Sequence, residues 1–195
     1  MILVSIDVGY INMGLTRAVI DDNFNLSFLD AFKLDLRHIL HNRVPAHQCK
    51  IPHTNETCDR ISHFLQEYEP LMQSADHVLI ERQPIMGIKD VEGLIMVAQR
   101  EKTILISPNS MHKFFGISKF SYEERKTQTE KIAEKYVGHM DGYMGLDRKH
   151  DIADSVCMCV FFVHKLKQEA DKKHRRENIK RLPFDEYRLV QGDKV

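Results

Sequence analysis

Three apolar, β-branched-rich stretches open the chain at residues 1–8, 13–20 and 26–34, broken at Gly9, Asn12 and Asp21-Asp-Asn23. Runs of this length separated by turn-forming residues predict an antiparallel meander of three strands. Two shorter runs follow, 77–81 and Thr103-Ile-Leu-Ile106. Their near-continuous apolar character predicts inner strands covered on both faces. Helical spacing fills the intervals at 55–72 and near 90–101. Ser121-Tyr-Glu-Glu124 carries a capping signature that starts another helix. A long last helix is predicted from about 151 to at least 168, where Ile152, Val156, Val160 and Val163 recur at three or four residues. At 195 residues the chain suits a single α/β domain with one core.

Against this pattern four acids stand out. Asp7 closes the first apolar run, Glu81 closes His77-Val-Leu-Ile80, and Asp151 and Asp154 lie within His150-Asp-Ile-Ala-Asp-Ser155. A carboxylate at the end of a buried strand is costly unless something neutralises it, and a divalent cation is the obvious partner. Acids three apart on a helix share a face, so Asp151 and Asp154 can point together at the strand ends. Hard cations take oxygen ligands, and two of them stabilise the attacking and leaving oxygens of phosphoryl displacement.

Each acid also has a plainer reading. Asp151 suits a helix N-cap, Asp154 a first-turn charge facing the helix dipole, Glu81 an ion pair with Arg82, and Asp7 the start of a turn at Gly9. The combination is harder to explain that way: strand, strand, then a helix bearing D-x-x-D, within one domain-sized chain.

Three stretches, Ser5-Ile-Asp-Val-Gly9, Val78-Leu-Ile-Glu-Arg-Gln83 and Lys149-His-Asp-Ile-Ala-Asp-Ser155, resemble the RuvC-type Holliday junction resolvases of the RNase H-like superfamily. The wording is most similar to the poxvirus-type and mitochondrial branches. The resemblance covers residues 1 to about 165, leaving 166–195 as a basic extension. It implies an RNase H-like mixed five-stranded sheet flanked by helices. Asp7, Glu81, Asp151 and Asp154 would be the metal-binding catalytic quartet, holding two Mg²⁺ ions that Mn²⁺ can replace. Asp7 would bridge both metals, Glu81 would hold one, and Asp151 with Asp154 the other. The chain departs from the pattern at Gln83-Pro-Ile-Met86, where many bacterial members carry a junction-opening aromatic, and at His150, where relatives often carry another Asp.

The implied activity is symmetric nicking of four-way DNA junctions in recombination or viral replication, leaving 5′-phosphate and 3′-hydroxyl ends. Paired cuts imply a homodimer with two identical sites. The stripe Val91, Leu94, Ile95 and Ala98 is a candidate dimer surface, with core burial as the alternative. Rival functions are an RNase H-like nuclease acting on flaps, RNA–DNA hybrids or concatemer ends, and a non-catalytic nucleic-acid-binding module.

Charge changes the picture only through its distribution, because 28 basic and 28 acidic residues cancel. Lys113, Lys119, Arg125, Lys126 and Lys131 gather between the last strand and the acid-bearing helix. Lys113, Lys119 and Lys126 are the expected DNA-binding residues, with Phe114, Phe115 and Phe120 either stacking on bases or packing in the core. The tail from Lys165 to Arg181 is a second basic stretch, readable as a phosphate track or a solvated extension. No signal peptide, transit peptide or membrane span is expected, which points to an intracellular, reducing setting, the host cytoplasm if the source is viral. Four cysteines without framework spacing agree. His47, Cys49, His53 and Cys58 lie close in sequence. They would either close a tetrahedral zinc site or belong to a polar loop leading to a helix capped near Thr54 or Asn55.

Overall fold

The computed structural model describes residues 1–39 and 49–180, the last three by backbone alone. Five strands form one sheet: β1 Ile2–Asp7, β2 Met13–Ile20, β3 Leu26–Leu34, β4 His77–Glu81 and β5 Thr103–Ile106. Their order is β3-β2-β1-β4-β5. β1 to β3 pair antiparallel, whereas β4 and β5 join parallel to β1. The mixed sheet expected from the sequence is therefore present, and all five strands fall within two residues of their expected bounds.

Seven helices are described: α1 Thr57–Glu67, α2 Glu69–Ser74, α3 Lys89–Ala98, α4 Pro108–Phe114, α5 Tyr122–Val137, α6 Asp141–Met144 and α7 His150–Lys180. The helix expected at 55–72 is split at Tyr68, because Pro70 has no N–H to donate to the Gln66 carbonyl and suits the first turn of a new helix. Glu56 takes the N-cap position of α1, so neither Thr54 nor Asn55 caps it. Thr54 instead accepts a bond from the Glu56 amide and donates to Asp59. The short helices α4 and α6 lack an amphipathic repeat long enough to read from sequence. The capping box at Ser121 and Glu124 is formed in full.

The two sheet faces carry separate cores. Val4, Ile6, Val78 and Ile80 point to one face and pack with Ile61 and Phe64 of α1, Met72 of α2, and Val91 and Ile95 of α3. Val91 and Ile95 are thus core residues and half-buried Leu94 packs beside them, whereas Ala98, the last member of the stripe expected as a dimer surface, is exposed. On the other face, Ala31 packs with Ala133 and Val137 of α5, Tyr143 of α6, and Ile152, Ala153 and Val156 of α7. Burying roughly 1.5–3 kcal/mol of side-chain transfer energy at each of these positions drives the layering.

By their contacts the residues divide into Met1–Phe161, which holds the sheet, and a second unit that begins at Phe162. In that second unit, Lys165, Lys167, Lys172, Lys173, Arg175 and Arg176 are exposed along α7. Arg181 of the basic stretch and His47 of the proposed zinc set lie outside the described residues. Among the described residues no helix is long and apolar enough to cross a membrane.

Candidate active site

Strand parity decides which side chains meet. Successive residues of a strand point to opposite faces. Val4 and Ile6 face one core, so Ser5 and Asp7 face the other, and Glu81 follows Ile80 in the same way. Ile6 and Ile80 are partners in the parallel β1–β4 ladder. Asp7 and Glu81, one residue further on, therefore end neighbouring strands at one level and on the α7 face. Thr16 of β2 lies in contact with Cys159 of α7 at 3.8 Å, which fixes the helix over this face.

The first turn of α7 reaches the sheet through a glycine. Gly14 of β2 pairs with Asp7 across the ladder. A Cβ built there would stand 2.0 Å from the Asp151 carbonyl oxygen. A glycine inside a strand marks the close approach of another backbone, and here that backbone carries Asp151. Gly14→Ala is expected to lower stability by about 1–3 kcal/mol by forcing α7 off the sheet. Gly93→Ala in α3, where a Cβ meets nothing within 4 Å, is expected to gain about 0.5–1 kcal/mol. Urea midpoints measure both, and equal shifts would remove the close-approach argument.

The four acids share one field. Asp7 and Glu81 are hydrogen-bonded to each other, and Asp7 also feels the charges of Asp154 and Asp151. Burial first, and the Glu81 charge next, push the Asp7 carboxyl well above the usual carboxylate range. Burial likewise raises Glu81. Asp154 is pushed up to about 7, chiefly by burial and then by Glu81, while Thr129 of α5 hydrogen-bonds it and partly offsets the rise. Asp151 is ion-paired to Arg148, with Nε to Oδ2 at 3.0 Å, and His150 Nε2 lies 3.4 Å from its Oδ1. Burial lowers the His150 imidazole, which also faces Glu130 at 3.6 Å. Carboxyls held together at raised pKa amount to a site short of positive charge.

A second layer supports Glu81. Gln83 Nε2 donates to Glu81 Oε2 at 2.7 Å, and the Gln83 amide donates to buried Glu92. Lys89 pairs with Glu92 at 2.9 Å and balances it. Gln83 ends the stretch Val78–Gln83 that carries the resemblance, without a role being read for it there, and Glu92 reads as an ordinary first-turn acid of α3.

The expected DNA-binding lysines divide. Lys126 contributes its charge to Asp154 and His150 and lies 4.0 Å from the centroid of the Tyr122 ring. Lys113 and Lys119 are exposed around α4. Next to them in sequence, His112 and Ser118 line a cavity of about 550 Å³ with Arg82, Gln83, Ser107, Asn109, Tyr122 and Arg125. Gln83, which donates to Glu81, lines this hollow together with the two arginines. Phe114 is more than a third exposed and packs on Phe115 and Phe161, and Phe120 is similarly exposed.

No protein-family profile and no curated protein matches the chain in sequence. Solved structures do match in fold. The fowlpox virus Holliday junction resolvase aligns with a TM-score of 0.60 at 16% identity, covering 85% of this chain and 99% of its own. The yeast mitochondrial Holliday junction resolvase Ydc2 aligns at 0.59 and 14% identity, covering 90% and 83%. Thermus thermophilus RuvC aligns at 0.56 and 14% identity, covering 87% and 97%. With its mixed five-stranded sheet and flanking helices, the chain has the RNase H-like fold in the form shared by these resolvases.

Proposed function

We propose that the protein is a metal-dependent endonuclease that resolves four-way DNA junctions by paired nicks. The observation that carries this reading is the convergence of Asp7, Glu81, Asp151 and Asp154, from two parallel strand ends and one helix, into a single electrostatic cluster. It stands within a fold shared with structures described as Holliday junction resolvases, one of them determined with its junction DNA.

The donor set fits hard divalent cations. Four carboxylates, three of them with raised pKa, supply only oxygen ligands, and among the described residues Arg148, Lys126 and His150 stand against them. In this reading Asp7, Glu81, Asp151 and Asp154 would together hold two Mg²⁺ ions, with Asp7, which feels the charges of the other three, as the shared ligand. When bound, such ions polarise the scissile phosphate and lower the pKa of water. Gln83 orients the Glu81 carboxylate, and Thr129 orients that of Asp154. Arg82 and Arg125 line the adjoining hollow and are suited to phosphates, as Lys113 and Lys119 are on the exposed surface around α4. Ile85 and Met86, more than nine-tenths exposed on the loop after Glu81, are the apolar tips suited to insertion between base steps. A two-fold dimer would set two such sites against a nearly two-fold junction.

The test is cleavage of a labelled, immobile four-way junction in Mg²⁺ and in Mn²⁺, beside linear duplex, flap and RNA–DNA hybrid. Symmetric paired nicks in the junction, at rates well above the controls, are the expected result. Preferential cutting of flap or hybrid would assign the same acids to a different nuclease, and binding without cleavage in either metal would remove the enzymatic reading.

A further inference from the structure

Cys49, His53 and His63 bring their ligand atoms within 4.8 Å of one another, away from the acid cluster and with a different chemistry. His63 lies on the buried face of α1, while Cys49 and His53 come from the segment that leads into that helix. The Cys49 sulfur stands 3.7 Å from His63 Nδ1, and the His53 and His63 rings meet edge to face at 4.6 Å between centroids. Zn–S and Zn–N bonds of about 2.3 and 2.0–2.1 Å at a tetrahedral angle place sulfur and nitrogen about 3.6 Å apart. The spacing between Cys49 and His63 is that of one tetrahedron edge.

We propose that Cys49, His53 and His63 bind one Zn²⁺ ion, with a solvent molecule in the fourth position on the exposed side of His53. The sequence pairing with Cys58 is replaced, since Cys58 is exposed at the start of α1 and its thiol contacts Asp59. His63 was hidden from a reading by spacing because it sits mid-helix, ten residues beyond His53, and joins the others only when α1 docks. Thiolate and imidazole select zinc, whereas the four carboxylates select magnesium, so the chain would hold two metal centres that do not compete.

The consequence is structural and reaches the acids. The metal would clamp residues 49–53 onto α1. One turn before His63, Arg60 donates to the Leu36 carbonyl at 3.2 Å and lies over the Tyr10 ring at 5.7 Å. Tyr10 follows Asp7 in the β1–β2 turn, so α1 braces the turn that ends the first acidic strand.

The full chain, purified under reducing conditions with zinc and passed through gel filtration in excess Mg²⁺, is expected to retain about one zinc per chain. Replacement by Co²⁺ should give a thiolate-to-metal charge-transfer band together with tetrahedral d–d bands. Cys49→Ser is expected to abolish the charge-transfer band and weaken zinc binding by about tenfold or more. His63→Gln should lose zinc as well, whereas Cys58→Ser and Asp7→Asn should keep it. Should His63→Gln fail to fold, the half-exposed Cys49 substitution still reads the site. Zinc below about a tenth of the chain concentration, zinc unaffected by Cys49→Ser, or zinc lost with Cys58→Ser would each overturn the proposal. None of these readouts depends on nuclease activity.

Discussion

Asp7→Asn is expected to lower junction cleavage by about 10³-fold or more, while junction binding stays within about threefold of the unchanged protein. Asp7 is the residue through which the cluster is wired, hydrogen-bonded to Glu81 and sensing both Asp154 and Asp151. Asparagine keeps its shape and removes one charge from a site that already lacks neutralisation. The fold should therefore become more stable as the activity disappears, by a few degrees in Tm for about 1 kcal/mol. That opposite movement separates a functional acid from a structural one, since loss of a structural acid lowers activity and Tm together. Single-turnover cleavage and thermal unfolding in EDTA measure the two sides. Cleavage within about tenfold of the unchanged protein, or loss of cleavage accompanied by a lower Tm, would remove Asp7 from the centre of the proposed chemistry.

Where the chain's physics is local, the sequence already shows it. Strand bounds were legible because period-two and buried apolar runs end abruptly at turn residues, as β1 does at Asp7 and Gly9. The acids were legible because a charge at the end of such a run has few explanations. What escaped was set by docking. Gly14 reads as a small residue in an apolar strand until the Asp151 carbonyl is seen against it. The tie from Gln83 to Glu92 needs the β4–α3 loop to close on itself. Pro70 split a helix that periodicity alone had made continuous. The stripe on α3 shows the opposite failure, since its spacing was read correctly as amphipathic but could not say which neighbour the face would meet.

The acid cluster should also make stability without divalent cations fall as pH rises. Asp154 moves from an ordinary 3.8 to about 7 in the folded chain, so between those values the native state holds more protons than the unfolded one. The stabilisation is fully present below about pH 4 and is lost as pH climbs through about 7. Asp7 and Glu81 are raised in the same direction and deepen the loss. His150 and His112 are lowered by burial and act oppositely, recovering stability as pH rises toward the ordinary histidine range. A comparison with Asp154→Asn cancels the histidines and isolates the acid. In EDTA that variant should exceed the unchanged chain by roughly 2–4 kcal/mol at pH 8, or about 5–15 °C in Tm, and the gap should close toward pH 4. Millimolar Mg²⁺ should close it from the other side at pH 8, by stabilising the chain that retains all four carboxylates more than the variant. Differential scanning fluorimetry across pH 4–8, with EDTA and with Mg²⁺, reads both effects. A gap that does not vary with pH would mean that Asp154 is not the buried titrating group, and equal Mg²⁺ shifts in both proteins would mean that it holds no metal.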